Sequence, residues 1–172
     1  DDDDRTWIGS PHPDFMYGLN IELSYKNFDL SAFFYGVNGI DVNTYAAKSE
    51  TEFWSINDVR SNKGTRLLNA WSPSNPNSDI PAITALNEND EGRLSTYFIE
   101  NGSFLKLRNL QLGYTLPRKI SETAFIEKFR IYVSGQNLFT IKSKNFSGVD
   151  PENAGFGYPI PTTFTVGVNI GF

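Results

Sequence analysis

The chain has 172 residues, 39% of them hydrophobic and 15% aromatic, with no Cys, a single His and a formal net charge of -5. One imidazole and no thiol exclude a disulfide framework, a thiolate metal site and a self-contained His-dependent triad, so neither a catalytic set nor a metal or other cofactor is expected from this chain. The acidic balance argues against a nucleic-acid partner, which needs a basic surface, and no run approaches the roughly 18 to 20 consecutive apolar residues of a membrane-crossing helix.

The chain opens on the acidic run Asp1 to Asp4. No apolar segment follows it, so it does not read as a signal peptide, and consecutive carboxylates lack the spacing of a calcium loop. A solvated loop is expected there, within a longer protein. From Tyr17 the residues alternate strictly, with Tyr17, Leu19, Ile21, Leu23 and Tyr25 on one face and Gly18, Asn20, Glu22 and Ser24 on the other. That period of two is a strand. A tight turn at Lys26-Asn27 leads to Phe28, Leu30, Ala32 and Phe34, interleaved with Asp29, Ser31, Phe33 and Tyr35, so the two segments read as an antiparallel hairpin.

Periodicity then disappears, and residues 36–96 read as one very long loop rich in Asn, Ser and Pro, with a short helical stretch near Glu50 to Val59. A third strand is expected from about Tyr97 to Leu116. Leu105 and Leu107 share one parity while Leu110, Leu112, Tyr114 and Leu116 share the other, and a bulge at Arg108-Asn109 would restore a continuous apolar face. After Pro117 and a short polar connection, a fourth strand carries Phe129, Ile131 and Val133 against Arg130, Tyr132 and Ser134, loosens at Gly135-Gln136-Asn137 and ends near Ile141. A second loop occupies Lys142 to about Pro161. The last strand sets Phe164, Val166, Val168, Ile170 and Phe172 against Thr165, Gly167, Asn169 and Gly171.

These strands run about 9 to 11 residues, the length of a tilted bilayer-crossing strand. Aromatics bound the apolar side, and the connections alternate short and long, as in outer-membrane barrels with short periplasmic turns and long extracellular loops. The fold class expected is therefore all-β, the C-terminal antiparallel strands, about five, of a large transmembrane β-barrel. Five strands do not close such a barrel, because an open edge would leave backbone N–H and C=O groups unpaired in hydrocarbon. The remaining strands are expected from upstream sequence. A soluble carbohydrate-binding β-sandwich is the competing reading, since a sheet packed on a second sheet alternates in the same way.

Particular strings narrow the choice. Asn101-Gly102-Ser103-Phe104-Leu105-Lys106-Leu107-Arg108-Asn109, continuing to Leu112-Gly113-Tyr114-Thr115-Leu116-Pro117, resembles the C-terminal region of the SusC/RagA family of TonB-dependent transporters. Val133-Ser134-Gly135-Gln136-Asn137-Leu138-Phe139, Asp150-Pro151-Glu152, the early Trp7-Ile8-Gly9-Ser10-Pro11 and the stretch from Trp71-Ser72-Pro73 to Pro81 resemble the same family in the same order. Lys106 departs from it, standing where Arg is frequent, as does Thr162, where a basic residue is frequent. The resemblance implies a barrel of about 22 strands, a plug outside this chain, energisation by the TonB complex and a SusD-like lipoprotein lid. It implies import of glycan or peptide oligomers across the outer membrane.

On this reading Asn20, Glu22, Asp29, Arg130 and Gln136 face the lumen, to line a solute path or to bond plug and water. Trp54, Trp71 and Tyr97 are the candidates for contact with substrate or lid, the plainer alternative being that they pin the loop to itself. Phe164, Val166, Val168, Ile170 and Phe172 meet outer-membrane lipid and carry the C-terminal signal read by the barrel-assembly machinery. Asp150 and Glu152 would be the carboxylates of a hydrolase, although Asp-Pro-Glu reads as a turn.

Overall fold

The computed structural model describes all residues except 1–4, 54, 55, 57–61, 88, 89, 122–125 and 156. The acidic run, Trp54 and half of the expected helical stretch from Glu50 to Val59 lie outside the described residues.

Five long strands form one sheet: β1 (Phe15–Tyr25), β2 (Phe28–Asn38), β5 (Phe104–Thr115), β6 (Lys128–Lys142) and β7 (Thr163–Gly171). Their order is β1-β2-β5-β6-β7, and every neighbouring pair is antiparallel. β3 (Asp41–Asn43) and β4 (Ile99–Asn101) make a separate two-stranded sheet, and the helices α1 (Tyr45–Thr51) and α2 (Arg118–Ser121) are short.

The register joins the alternation of separate strands into one surface. Tyr25, Phe28, Tyr114, Ile131 and Val168 lie in a row across the sheet, and Leu23, Leu30, Leu112, Val133 and Val166 form the next. Successive rows continue through Ile21, Ala32 and Leu110, then Leu19, Phe34, Leu107 and Phe139. The intervening positions carry Glu22, Ser31, Gln111, Ser134 and Thr165 on the opposite face. A slip of one residue in any strand would exchange its two faces, so this agreement across all pairings is what fixes the register.

The expected bulge is present. Pairing skips Arg108 against both β2 and β6, so Leu107 and Leu110 reach the same face despite their opposite parity. β6 answers with Asn137 and Leu138 between its paired residues Gln136 and Phe139, and Asn137 takes a left-handed φ of 52°. Asn is among the side chains that tolerate that region best.

The apolar face is bare. Val166 is 76% exposed, and Val168 and Ile170 are each 50% exposed. A sandwich needs a second sheet over these side chains, and among the described residues no sheet covers them.

Among the described residues the buried hydrophobic side chains are shared between the connections and β2 and β5, where Ala32, Val37 and Leu107 are buried. Phe53, Leu67, Ile80, Phe98, Phe104 and Phe146 are buried, and the Phe98 ring, 1% exposed, meets Tyr45, Phe53 and Tyr97 at centroid distances of 4.9, 5.8 and 5.4 Å. Two expectations are corrected accordingly. The connection expected over 36–96, with one short helical stretch, begins after Asn38 and holds β3, α1, two 3₁₀ turns and β4. Its helix lies at Tyr45–Thr51, ahead of most of the expected stretch. The third strand begins at Phe104, whereas Tyr97 belongs to the 3₁₀ turn Thr96–Phe98. The break falls at Gly102, where an added Cβ would stand 2.2 Å from the Val42 side chain and the N–H donates to the Ile40 carbonyl at 2.8 Å. The chain doubles over β3 there before entering the wall.

Candidate functional site

All five candidate polar residues of the strands share one face of the sheet, opposite the apolar rows. The Asn20 amide donates to Glu22 Oε1 at 2.9 Å. Arg130 Nε donates to Asp29 Oδ1 at 2.9 Å, and its Nη2 donates to Asp29 Oδ2. This fork reaches from β6 to β2 across β5. It can do so because the strand between presents Gly113, where a Cβ would sit 2.3 Å from the Arg130 guanidinium. Gln136 pairs in register with Asn109 and Thr163. The polar face thus holds a bidentate ion pair of the kind that fixes geometry as well as charge.

The aromatic candidates divide. Trp71 is 44% exposed, with its backbone N–H on the Ile80 carbonyl at 2.8 Å. Tyr97 is committed to the loop: its hydroxyl donates to Glu52 Oε2 at 2.5 Å, and Lys48 Nζ lies 4.0 Å from its ring centre. Burial, reinforced by the hydrogen bond to the Glu52 carboxylate, pushes the Tyr97 hydroxyl far above the usual phenol range. Of the two readings of this residue, the geometry favours the one that pins the loop.

Lys48 also donates to the Tyr97 carbonyl at 2.5 Å and pairs with Glu100 at 2.8 Å, both side chains being almost inaccessible. Burial raises the Glu100 carboxyl, but the hydrogen bonds from Lys48 and Ser147 outweigh it and hold the group below the ordinary carboxylate range. A cleft of about 580 Å³ opens beside these residues, with Arg66, Asp79 and Lys144 on its walls.

Sequence reasoning missed the densest charge cluster. Lys106 of β5 is buried, and its ammonium donates to Asp150 Oδ1 and Oδ2 at 2.8 and 2.7 Å and to Glu152. Arg108, the bulge residue, donates to the other oxygen of Glu152 and stacks over Tyr35, 4.9 Å from the ring centre. Both carboxylates of the Asp-Pro-Glu turn are therefore tied to cations, which leaves no free pair for glycoside hydrolysis. The signal was a doublet of cations on the polar parity of a strand, but its partners lie more than forty residues away.

On β7, Phe164, Val166, Val168 and Ile170 project from the apolar face, and Phe172 is exposed beyond the strand. β7 pairs with β6 on one side, and β1 likewise has β2 as its one neighbour in the sheet.

Long antiparallel strands with one bare apolar face, one polar face and organised loops define a section of β-barrel wall. No family model matches the chain. A TonB-dependent receptor of Formosa agariphila, P3, is 35% identical over 98% of this chain and 17% of its own length. The TonB-dependent receptor SusC of Bacteroides thetaiotaomicron is 29% identical over 100% of this chain and 16% of its own length. Among solved structures, the RagAB peptide transporter superposes with a TM-score of 0.73 at 28% identity, covering 95% of this chain and 18% of that one. The chain belongs to the SusC/RagA family of TonB-dependent receptors, and it spans less than a fifth of the length of these relatives.

Proposed function

We propose that the chain supplies wall strands and two extracellular loops, 39–103 and 143–162, to an active importer of oligomeric nutrients in the bacterial outer membrane. The observation that carries this reading is the apolar surface running over five strands, bare on one side, with the charged side chains of the strands, Asp29, Lys106 and Arg130 among them, paired on the other. Such a surface is stable where hydrocarbon covers it, and the polar face then looks into an aqueous lumen. Asn20, Glu22, Asp29, Arg130 and Gln136 line that lumen.

The exposed edges of β1 and β7 pair with further strands of the same receptor, because unpaired N–H and C=O groups are not tolerated in lipid. The chain is read as the C-terminal portion of the barrel, and the row Phe164, Val166, Val168, Ile170 and Phe172 as the signal engaged by the assembly machinery. The other partners are a plug within the same receptor, the TonB complex that energises it and a SusD-like lipoprotein over the mouth. Trp71, exposed on the long loop, is the described aromatic best placed for lid or substrate contact. The resemblance in sequence to SusC and in structure to the RagAB peptide transporter supports this assignment, with a peptide or glycan oligomer as cargo.

Uptake of labelled peptide and glycan oligomers by cells carrying the intact receptor tests it. Uptake of one class should vanish when the receptor gene is deleted or TonB is inactivated, and return with the intact gene. Uptake of every class unchanged by both deletions would overturn the reading.

A further inference from the structure

A chain of charge-assisted contacts runs from the wall through both loops. It starts at Lys106, whose side chain is 1% exposed and is held by Asp150 and Glu152. Glu152 also takes Arg108, so the Asp150-Pro151-Glu152 strap straddles the bulge of β5. The strap is set internally as well, the Glu152 N–H donating to Asp150 Oδ1 at 2.9 Å.

The same loop grips the other. Ser147 donates its backbone N–H to Glu100 Oε2 at 2.7 Å and its hydroxyl to Glu100 Oε1 at 2.8 Å. Glu100 lies on β4 of the long loop and pairs with Lys48 of α1. Between Ser147 and Asp150, Lys142 donates to the carbonyls of Gly148 and Val149. The intervening segment is therefore itself tied down to the end of β6.

We propose that Lys106 is a positioning residue that holds loop 143–162, and through Ser147 and Glu100 also loop 39–103, on the wall as one body, so that the two loops move together. Two loops rooted in different strands ordinarily move independently, each with its own opening free energy. Here a buried ammonium cannot lose its counter-charges without leaving an uncompensated charge in a dry site, so the root of the second loop is the stiffest point of the unit. Arg108, two residues on from Lys106 and so on the same side of the strand, presents a second cation to that strap. The importer reading enters only in the consequence, that the mouth opens with both loops at once.

Hydrogen exchange of the intact receptor in bilayer nanodiscs tests the coupling without measuring transport, so its failure is separate from failure of that reading. Lys106→Met should raise exchange about tenfold in both 143–153 and 45–53. Lys106→Arg, which keeps the charge, should leave both within about twofold. In a Glu100→Gln, Ser147→Ala background, Lys106→Met should loosen 143–153 alone. A Lys106→Met effect confined to 143–153 in the otherwise native receptor, or none in either segment, overturns the proposal. Should Lys106→Met fail to reach the membrane, Asp150→Asn carries the same expectations and the same refutation.

Discussion

Gly113 acts through what it lacks. Arg130 reaches Asp29 over a neighbouring strand, and a side chain at 113 would fill the path of the guanidinium. Gly113→Val should therefore break the pair and lower the unfolding free energy of the receptor by about 1 kcal/mol, a modest figure because the Asp29 carboxylate is partly solvated. In urea titrations, Asp29→Asn should remove most of that penalty, giving a clear coupling energy in the double-mutant cycle. Additive losses would show that Arg130 does not use this path. Glu100 offers a second test at this scale. Its carboxyl titrates lower in the folded loop than in an open one, so its stabilising effect is complete above the ordinary carboxylate value and is lost as pH falls through the depressed folded value. The protection factor of the Ser147 amide should hold above the ordinary carboxylate value and fall progressively as pH drops from there to the depressed folded value. A drop already near neutral pH would contradict the Lys48–Glu100 pairing.

At the scale of strands, the apolar face makes a prediction by contrast of neighbours. Val168→Arg should cost about 2 to 4 kcal/mol in receptor unfolding if the residue lies near the bilayer midplane, whereas Asn169→Arg, one residue on and facing the other way, should cost far less. Equal costs would argue against two distinct surroundings. Period two made this alternation legible in the sequence, and the parity change between Leu107 and Leu110 located the bulge at Arg108-Asn109, because a strand with one buried or lipid-covered face cannot let its apolar set cross over. The connections were illegible for an equally physical reason. Their core depends on contacts distant in sequence, such as Phe98 on Tyr45 and Ser147 on Glu100, and short elements packed that way have no period of their own. Tyr97 lies in a 3₁₀ turn just ahead of the extended segment Ile99–Asn101, which pairs with β3 and not with the wall. Lys106 and Asp150 stand 44 residues apart with no pattern in the sequence to pair them, and the fold makes them one feature.

For the whole molecule, the sheet and the loops divide the work. The sheet has little packed interior of its own and leaves large apolar side chains bare on one side, while the buried residues concentrate where the loops fold on the top of β5. That distribution is the reverse of a water-soluble domain, in which the sheet would cover the core. It suits a wall between two solvents, hydrocarbon outside and water within.

The central claim, that this face touches acyl chains, is tested most directly by lipid-borne quenching. A small fluorophore placed in turn at 164 through 170 of the intact receptor, reconstituted with brominated lipids, should be quenched strongly at 164, 166, 168 and 170 and weakly at 165, 167 and 169. Uniform quenching along β7, or the opposite alternation, would contradict the account.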